Sequence, residues 1–401
     1  MAPYAAFLLL GLLAPAAVLA SWDIDEDVRL DTIGLLTKYG YPAEVHEVTT
    51  DDGYILSLHR VPYSPVSPLQ EGKQKPVVFL QHGLLCSSAD WVVMGPGAGF
   101  VYILADAGYD VWMGNARGNT YSRRHIKYKP NGLFNSKFWN FDWHEVGLYD
   151  LPASIDYVLE QTGEEKLFYA GHSMGTTAFW VMTTQRPEYN DKIRAMFALA
   201  PIAYMGYMTS PFFQLLSLAN KPLEFLLNIM GVNEFLPNNE LMTLGGKLLC
   251  QDKALTQFMC ENVLFLIAGY DSEELNSTML PVILGHTPAG ASTNELLHYA
   301  QEIVSFKFRQ WDYTATNLFH YGSLTPPKYK LSKVTAPVAL FYSGNDWLAA
   351  IKDVDKLYSE ISNPIGKFKN SHSKFNHLDY LWAIRAKELV YDQVLSLMTR
   401  Y

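Results

Sequence analysis

The stretch Leu167-Phe-Tyr-Ala-Gly-His-Ser-Met-Gly-Thr-Thr-Ala-Phe-Trp-Val-Met182 constrains this chain more than any other. Leu167 to Ala170 is an apolar run of the length of one buried strand. Gly171-His-Ser-Met-Gly175 follows, then a helix-like run to about Thr184 that Arg186-Pro187 stops. The bare G-x-S-x-G pattern is weak. With Gly near ~7% of residues, chance yields it in roughly one chain in seven of this length. The flanking strand and helix make the difference, because strand, G-x-S-x-G, helix is the context of a nucleophile elbow. The turn is tight enough to strain the serine backbone. Glycines two residues to either side let strand and helix pass closely. Ser173 Oγ is then lifted clear of the sheet, at a helix N-terminus that favours developing negative charge.

Around that stretch the chain alternates. Ala43–Thr50 and Tyr54–Val61 read as two strands around Asp52-Gly53, a strong hairpin signal. Val77–Leu80 is a continuous apolar strand. Phe100–Ala107 is helical and ends at Gly108, Tyr109–Met113 is a strand, and Asp150 to Gln161 is a helix with Gly163 as its cap. Ala195–Ala200 is a further buried strand. Regularity returns at Thr335–Ser343, followed by a helix to Glu360, a short strand near Lys367 and a last helix carrying Ala386, Val390, Val394 and Met398. Alternation of this kind predicts a mostly parallel sheet with helices on both faces. From 206 to 323 it breaks, and Pro211–Leu216 and Leu223–Met230 are helix-sized and apolar nearly all round. The expected organisation is an α/β core over 21–205 and 324–401, interrupted by an insertion over 206–323.

A serine hydroxyl needs a base to take its proton, and the base needs an acid to hold its tautomer. Behind a nucleophile elbow the chain order is Ser, then Asp or Glu, then His. Asp346, just past a buried strand, and His377, just before the last helix, satisfy it. Asp353 and Asp355 fall inside a predicted helix, Asp379 is too close to His377 in sequence, and His372 is the nearest competing base. The tetrahedral intermediate needs two backbone N–H donors. Met174, next to the nucleophile, supplies one, and Leu84 in His82-Gly-Leu-Leu85 the other. His82 itself reads as a loop histidine bonded to backbone.

Composition narrows the partners. A net charge of −9 without a basic cluster argues against nucleic acid. No H-E-x-x-H and no C-x₂-C occurs, so neither a metal nor another cofactor is expected. Residues 1–20 carry no charged side chain, Phe7–Leu13 is a short apolar core, and Val18-Leu-Ala20 ends in a small residue. This reads as a secretory signal. Cys250 and Cys260 are spaced to close a short loop, worth about 3 kcal/mol in loop entropy. Cys86, beside Leu84 and Leu85, reads as a buried thiol. Asn276-Ser-Thr278 is a glycosylation sequon.

A series of motifs carries a resemblance: Asp31-Thr-Ile-Gly-Leu35, Tyr39-Gly-Tyr-Pro42, Thr50-Asp-Asp-Gly-Tyr-Ile-Leu56, Gln81-His-Gly-Leu-Leu85, Gly114-Asn-Ala-Arg-Gly-Asn-Thr-Tyr-Ser122, Tyr149-Asp-Leu-Pro152, Gly171-His-Ser-Met-Gly175 and Phe375-Asn-His377. Together they resemble the acid lipase family, which includes gastric and lysosomal lipases, and most of all its insect lipase-3-like branch. The resemblance implies hydrolysis of triacylglycerols or cholesteryl esters at an emulsion or membrane interface, by a monomer, in a gut or extracellular lumen or in lysosomes. It implies an α/β-hydrolase fold, with the core over 21–205 and 324–401 and 206–323 as an inserted helical cap and lid. It also implies Ser173, Asp346 and His377 as a triad, Leu84 and Met174 as oxyanion donors, and Cys250–Cys260 as a cap disulfide. Members of the family usually carry Gln where this chain has Met174; a backbone donor survives that exchange. A carboxylesterase for small soluble esters remains open beside this reading. A non-catalytic lipid carrier would need a broken triad, and all three members are present.

Overall fold

The computed structural model describes residues 26–131, 135–218, 233–236 and 264–401. The segment 1–20, Leu223–Met230, Cys250 and Cys260 lie outside the described residues. The chain opens with helix α1 (Thr32–Lys38), capped by the Asp31 side chain, which accepts the Gly34 N–H at 2.7 Å. The predicted hairpin forms: β1 (Glu44–Thr49) and β2 (Tyr54–Val61) pair antiparallel with Thr49 opposite Ile55. Its turn works because Gly53 takes φ +101°. β1 alternates half-buried and exposed residues, as a strand with one wet face must.

The remaining strands of the sheet are β3 (Val77–Gln81), β4 (Asp110–Met113), the two-residue β5 (Arg124–His125), β6 (Leu167–His172), β7 (Ile193–Leu199), β10 (Val338–Tyr342) and β11 (Pro364–Lys369). A separate two-residue ladder joins β8 (Glu234–Phe235) to β9 (Ala291–Ser292). Order in the large sheet is β1-β2-β4-β3-β6-β7-β10-β11, with β5 beside β2. From β4 to β11 every neighbouring pair is parallel. Helices cover both faces. That is why β3, β4, β6 and β10 are buried at every position and read as apolar runs apart from Gln81, Asp110 and His172 at their ends.

The connecting helices are α2 (Phe100–Asp106), α3 (Leu151–Thr162) and α4 (Met174–Gln185). Then come α5 (Pro211–Leu218), α6 (Leu280–His286), α7 (Thr293–Ser305), α8 (Ile351–Glu360), α9 (Asp379–Trp382) and α10 (Asp392–Met398). One boundary differs from expectation. The helical run into α3 begins at Trp143, not at Asp150, and passes through a π turn over Val146–Asp150. Asp142 and Glu145 form the capping box there. Gly147 in the π turn lies so close to α4 that a Cβ would sit 2.6 Å from the Ala178 carbonyl oxygen. Pro152 looked like a first-turn proline, but the wider turn upstream already frees the carbonyl its missing N–H would have bonded.

Parallel strands point their C-terminal ends to one edge of the sheet, and open α/β sheets carry their sites there. β6 lies between β3 and β7, with β10 next. The loops after β3, β6 and β10 therefore meet. Between β7 and β10 the described residues add no strand to this sheet. They contribute Met208, Phe213, Val282, Ile283 and Tyr299 to its core.

Candidate active site

β6 ends at His172, and α4 begins one residue later. Ser173 takes φ 52° and ψ −117°, a conformation that costs a non-glycine residue of order 1–3 kcal/mol. Close packing enforces it. A Cβ on Gly171 would lie 2.9 Å from the Gly175 carbonyl, and one on Gly175 only 2.3 Å from the Gln81 carbonyl oxygen. Ser173 N–H donates to Leu199 O at 3.0 Å, which ties the turn to β7. The side chain is left half-buried at the sheet edge.

There Ser173 O–H donates to His377 Nε2 across 2.7 Å. His377 Nδ1–H points at Asp346, 2.9 Å from each carboxylate oxygen. Asp346 is itself fixed, because Oδ1 accepts the Leu348 and Ala349 N–H groups at 2.9 and 2.8 Å in the turn after β10. His377 and Asp346 are buried. The three side chains predicted from chain order thus form one hydrogen-bonded line. A buried base held in this tautomer can accept the serine proton as Oγ attacks a carbonyl.

The loop after β3 closes the other side. A Cβ on Gly83 would touch Ser173 Cβ at 3.1 Å, so this backbone runs directly against the serine. Among the described residues, neither the Leu84 nor the Met174 N–H donates to a protein acceptor. His82 Nδ1–H donates to Gly83 O at 2.8 Å, and its Nε2 accepts the Ala116 N–H at 3.0 Å. Burial pushes His82 down to about 4, so the ring is neutral and serves as a backbone brace. Asn115 and Asn119 extend the brace: Asn115 Oδ1 accepts the Ser88 N–H at 2.9 Å and the Asn119 amide at 3.0 Å. Fully buried Arg117 anchors it by donating to Asp150 at 2.8 Å and to Asp52 at 2.9 Å while lying 4.0 Å over the Tyr54 ring.

Similar proteins agree with this geometry. Residues 76–383 match the family described as "alpha/beta hydrolase fold", and residues 32–95 match "Partial alpha/beta-hydrolase lipase region". Lipase 3 of Drosophila melanogaster is 49% identical, covering 90% of this chain and 91% of its own length. The chain belongs to the acid lipase family. It is a carboxylic ester hydrolase. Mouse gastric triacylglycerol lipase is 40% identical over 93% of this chain and 92% of its own. Human lysosomal acid lipase/cholesteryl ester hydrolase is 38% identical over 94% and 93%. Among solved structures, a putative lipase from Sulfolobus solfataricus shares the fold at TM-score 0.59 and 14% identity, over 89% of this chain and 94% of its own.

In this acid lipase Ser173 and His377 open into a cavity of about 580 Å³. Ile202, Met205, Phe213, Leu296 and Leu348 line it, so the chamber takes an apolar group. Reading the sequence missed His172, which stood there only as a member of the Gly171–Gly175 motif. Its Nε2–H donates to the His377 carbonyl at 2.8 Å and so holds the backbone of the base. Burial pushes His172 down to about 3, which keeps it neutral beside His377. No periodicity marks a side chain that acts on a distant carbonyl.

The rivals lie elsewhere. Asp353 accepts the Tyr207 N–H at 2.8 Å, and Asp355 pairs with Lys367. His372 sits 2.9 Å from buried Asp271. Asp379 accepts the Asn376 N–H at 2.5 Å, under the turn that presents His377. Cys86 is buried, and burial pushes its thiol well up, as an inert core group requires. Asn276 lies half-buried just before the turn Ser277–Met279.

Proposed function

We propose that this acid lipase cleaves long-chain neutral lipid esters, triacylglycerols and cholesteryl esters, through an acyl-enzyme on Ser173. Ser173 Oγ attacks the ester carbonyl as its proton passes to His377 Nε2. Asp346 stabilises the imidazolium, and the Leu84 and Met174 N–H groups receive the oxyanion. His377 then protonates the departing alcohol. Water repeats the sequence on the acyl-enzyme and releases the fatty acid, returning the proton to Ser173. One observation carries the reading: the hydrogen-bonded line of Ser173, His377 and Asp346 ends in an apolar chamber whose lining includes exposed Phe212, Leu215, Leu236 and Leu266.

Residues 206–323 act as cap and lid over this chamber, with Cys250–Cys260 as their disulfide. Exposed apolar groups at a chamber mouth fit contact with a lipid surface. The protein enters the secretory pathway, for a lumen or the lysosome. The leader-like residues 1–20 and the Asn276 sequon support this, as do relatives named gastric and lysosomal.

The test is hydrolysis of emulsified trioleoylglycerol and cholesteryl oleate beside a short-chain soluble ester, each followed over pH. Faster turnover of the emulsions supports the proposal. Turnover confined to the soluble ester would replace it with a carboxylesterase for small substrates.

A further inference from the structure

A second cavity, of about 490 Å³, shares no lining residue with the chamber at Ser173. Lys307, Lys328, Lys330 and Lys356 all line it, in a chain of net charge −9. The backbone sets this crowding. Arg309 bridges Lys328 antiparallel, Tyr329 N–H donates to Phe308 O at 3.2 Å, and Gln310 N–H donates to Pro327 O at 2.9 Å. That register brings Lys307 across from Lys330. Like charges directly opposite on paired strands destabilise a fold unless something neutralises them.

On the wall, Glu360 is the one carboxylate set against them among the described residues. Among the described residues the lysine ion pairs fall elsewhere, on Lys38, Lys192, Lys367, Lys374 and Lys387. Glu360, the carboxylate lining the cavity, already accepts the Tyr204 O–H at 2.6 Å. Glu302, close to Tyr204 and Tyr329, is fully buried and does not line the cavity, and burial pushes its carboxyl well up. The floor is rigid and aromatic: Phe308 and Tyr329 pack with centroids 4.5 Å apart. Lys356 Nζ rests 3.8 Å from the Tyr204 ring centre.

We infer that this pocket binds a polyvalent phosphate anion, either free or as the headgroup of a phosphorylated lipid. Lysine is a compact point charge suited to phosphate oxygens. Four of them around one cavity leave a single carboxylate far from neutralising the site. An anion with several charged oxygens matches the charge and fits within the volume. The site is separate from ester cleavage, so the two can be read independently.

The experiment uses the full chain at low salt. Inorganic pyrophosphate is titrated in by calorimetry. In parallel, sedimentation is followed with phosphatidylcholine vesicles with and without phosphatidylinositol phosphate. The comparison is Lys307→Gln/Lys330→Gln, whose soluble-ester turnover should equal the parent's and whose melting temperature should equal or exceed it, since an opposed pair of like charges is gone. Pyrophosphate binding that weakens about tenfold in the variant supports the site with a free anion as ligand. Binding only to the phosphoinositide vesicles, lost in the variant, supports it with the headgroup as ligand. Binding of neither probe, or binding that the variant leaves unchanged, overturns the inference.

Discussion

In the proposed mechanism Ser173 concentrates the chemistry in a residue whose backbone is strained and whose hydroxyl is already bonded to His377 at 2.7 Å. Ser173→Ala should therefore lower kcat on a soluble ester by on the order of 10⁴ to 10⁶ while the melting temperature holds. Most of the parent rate surviving would demand another nucleophile. Asp346→Asn should cost about 10⁴ in kcat, because an amide no longer favours the productive tautomer of His377. A pH effect belongs to Asp379. Buried near Asp271 and Glu274, its carboxyl is pushed up to about 8, against ~3.9 in an unfolded chain. Between those values the folded protein holds a proton that the unfolded chain has lost. Stability from this group is complete below about pH 4 and falls as pH rises, by up to ~1.4 kcal/mol per unit. Asp379→Asn keeps an oxygen for the Asn376 N–H and removes that slope. Its melting temperature should match the parent's near pH ~4 and exceed it near pH ~8. The same difference at both pH values would refute this.

At the scale of elements, Gly175 is where strand, turn and helix are locked together. A Cβ there meets the Gln81 and His82 carbonyl oxygens at 2.3 and 2.9 Å, and backbone cannot rotate away as a side chain would. Gly175→Ala should destabilise the fold by about 2–3 kcal/mol in chemical denaturation and lower kcat more than it raises KM. A variant of parental stability would show that the loop after β3 can withdraw. The elements that sequence patterning reached are those whose period comes from burial. The β1–β2 hairpin, the apolar strands β3, β6, β7 and β10, and the helix behind Ser173 all stand where residue spacing put them. Some of the elements it missed have no period to show, although α7, with its Ser292–Glu295 capping box and one buried face, did carry a helix signal that the reading passed over. β5, β8 and β9 are two residues long. The π turn before α3 rests on a glycine–helix contact rather than on an apolar face. The motif around Arg117 was visible only as a likeness. Its polar side chains reach Asp52 and Asp150, and such long-range bonds leave no trace in neighbouring residues.

Across the whole molecule, chain order predicted which three residues meet because a parallel sheet brings the C-terminal ends of β6 and β10 to one edge. It could not predict the chamber they open into, which is assembled from segments after β3, after β7 and along α5 and α7. That chamber has a consequence at the molecular surface. On α5, Leu215 is 69% and Leu218 is 84% exposed, in a helix whose Phe213 is buried. Burial of one leucine contributes about 1.5–3 kcal/mol, so an exposed one beside an apolar chamber is stabilised once a lipid surface covers it. Leu218 does not line the chamber, so changing it leaves the chemistry at Ser173 alone. Leu218→Asp should cut the rate on emulsified trioleoylglycerol about tenfold, the equivalent of ~1.4 kcal/mol of interfacial binding. Its kcat and KM on a short-chain soluble ester should stay at the parent's values. Equal losses on both substrates would mean that α5 supports the chamber rather than docking the enzyme. Unchanged rates on both would move the lipid-facing surface to another part of the molecule.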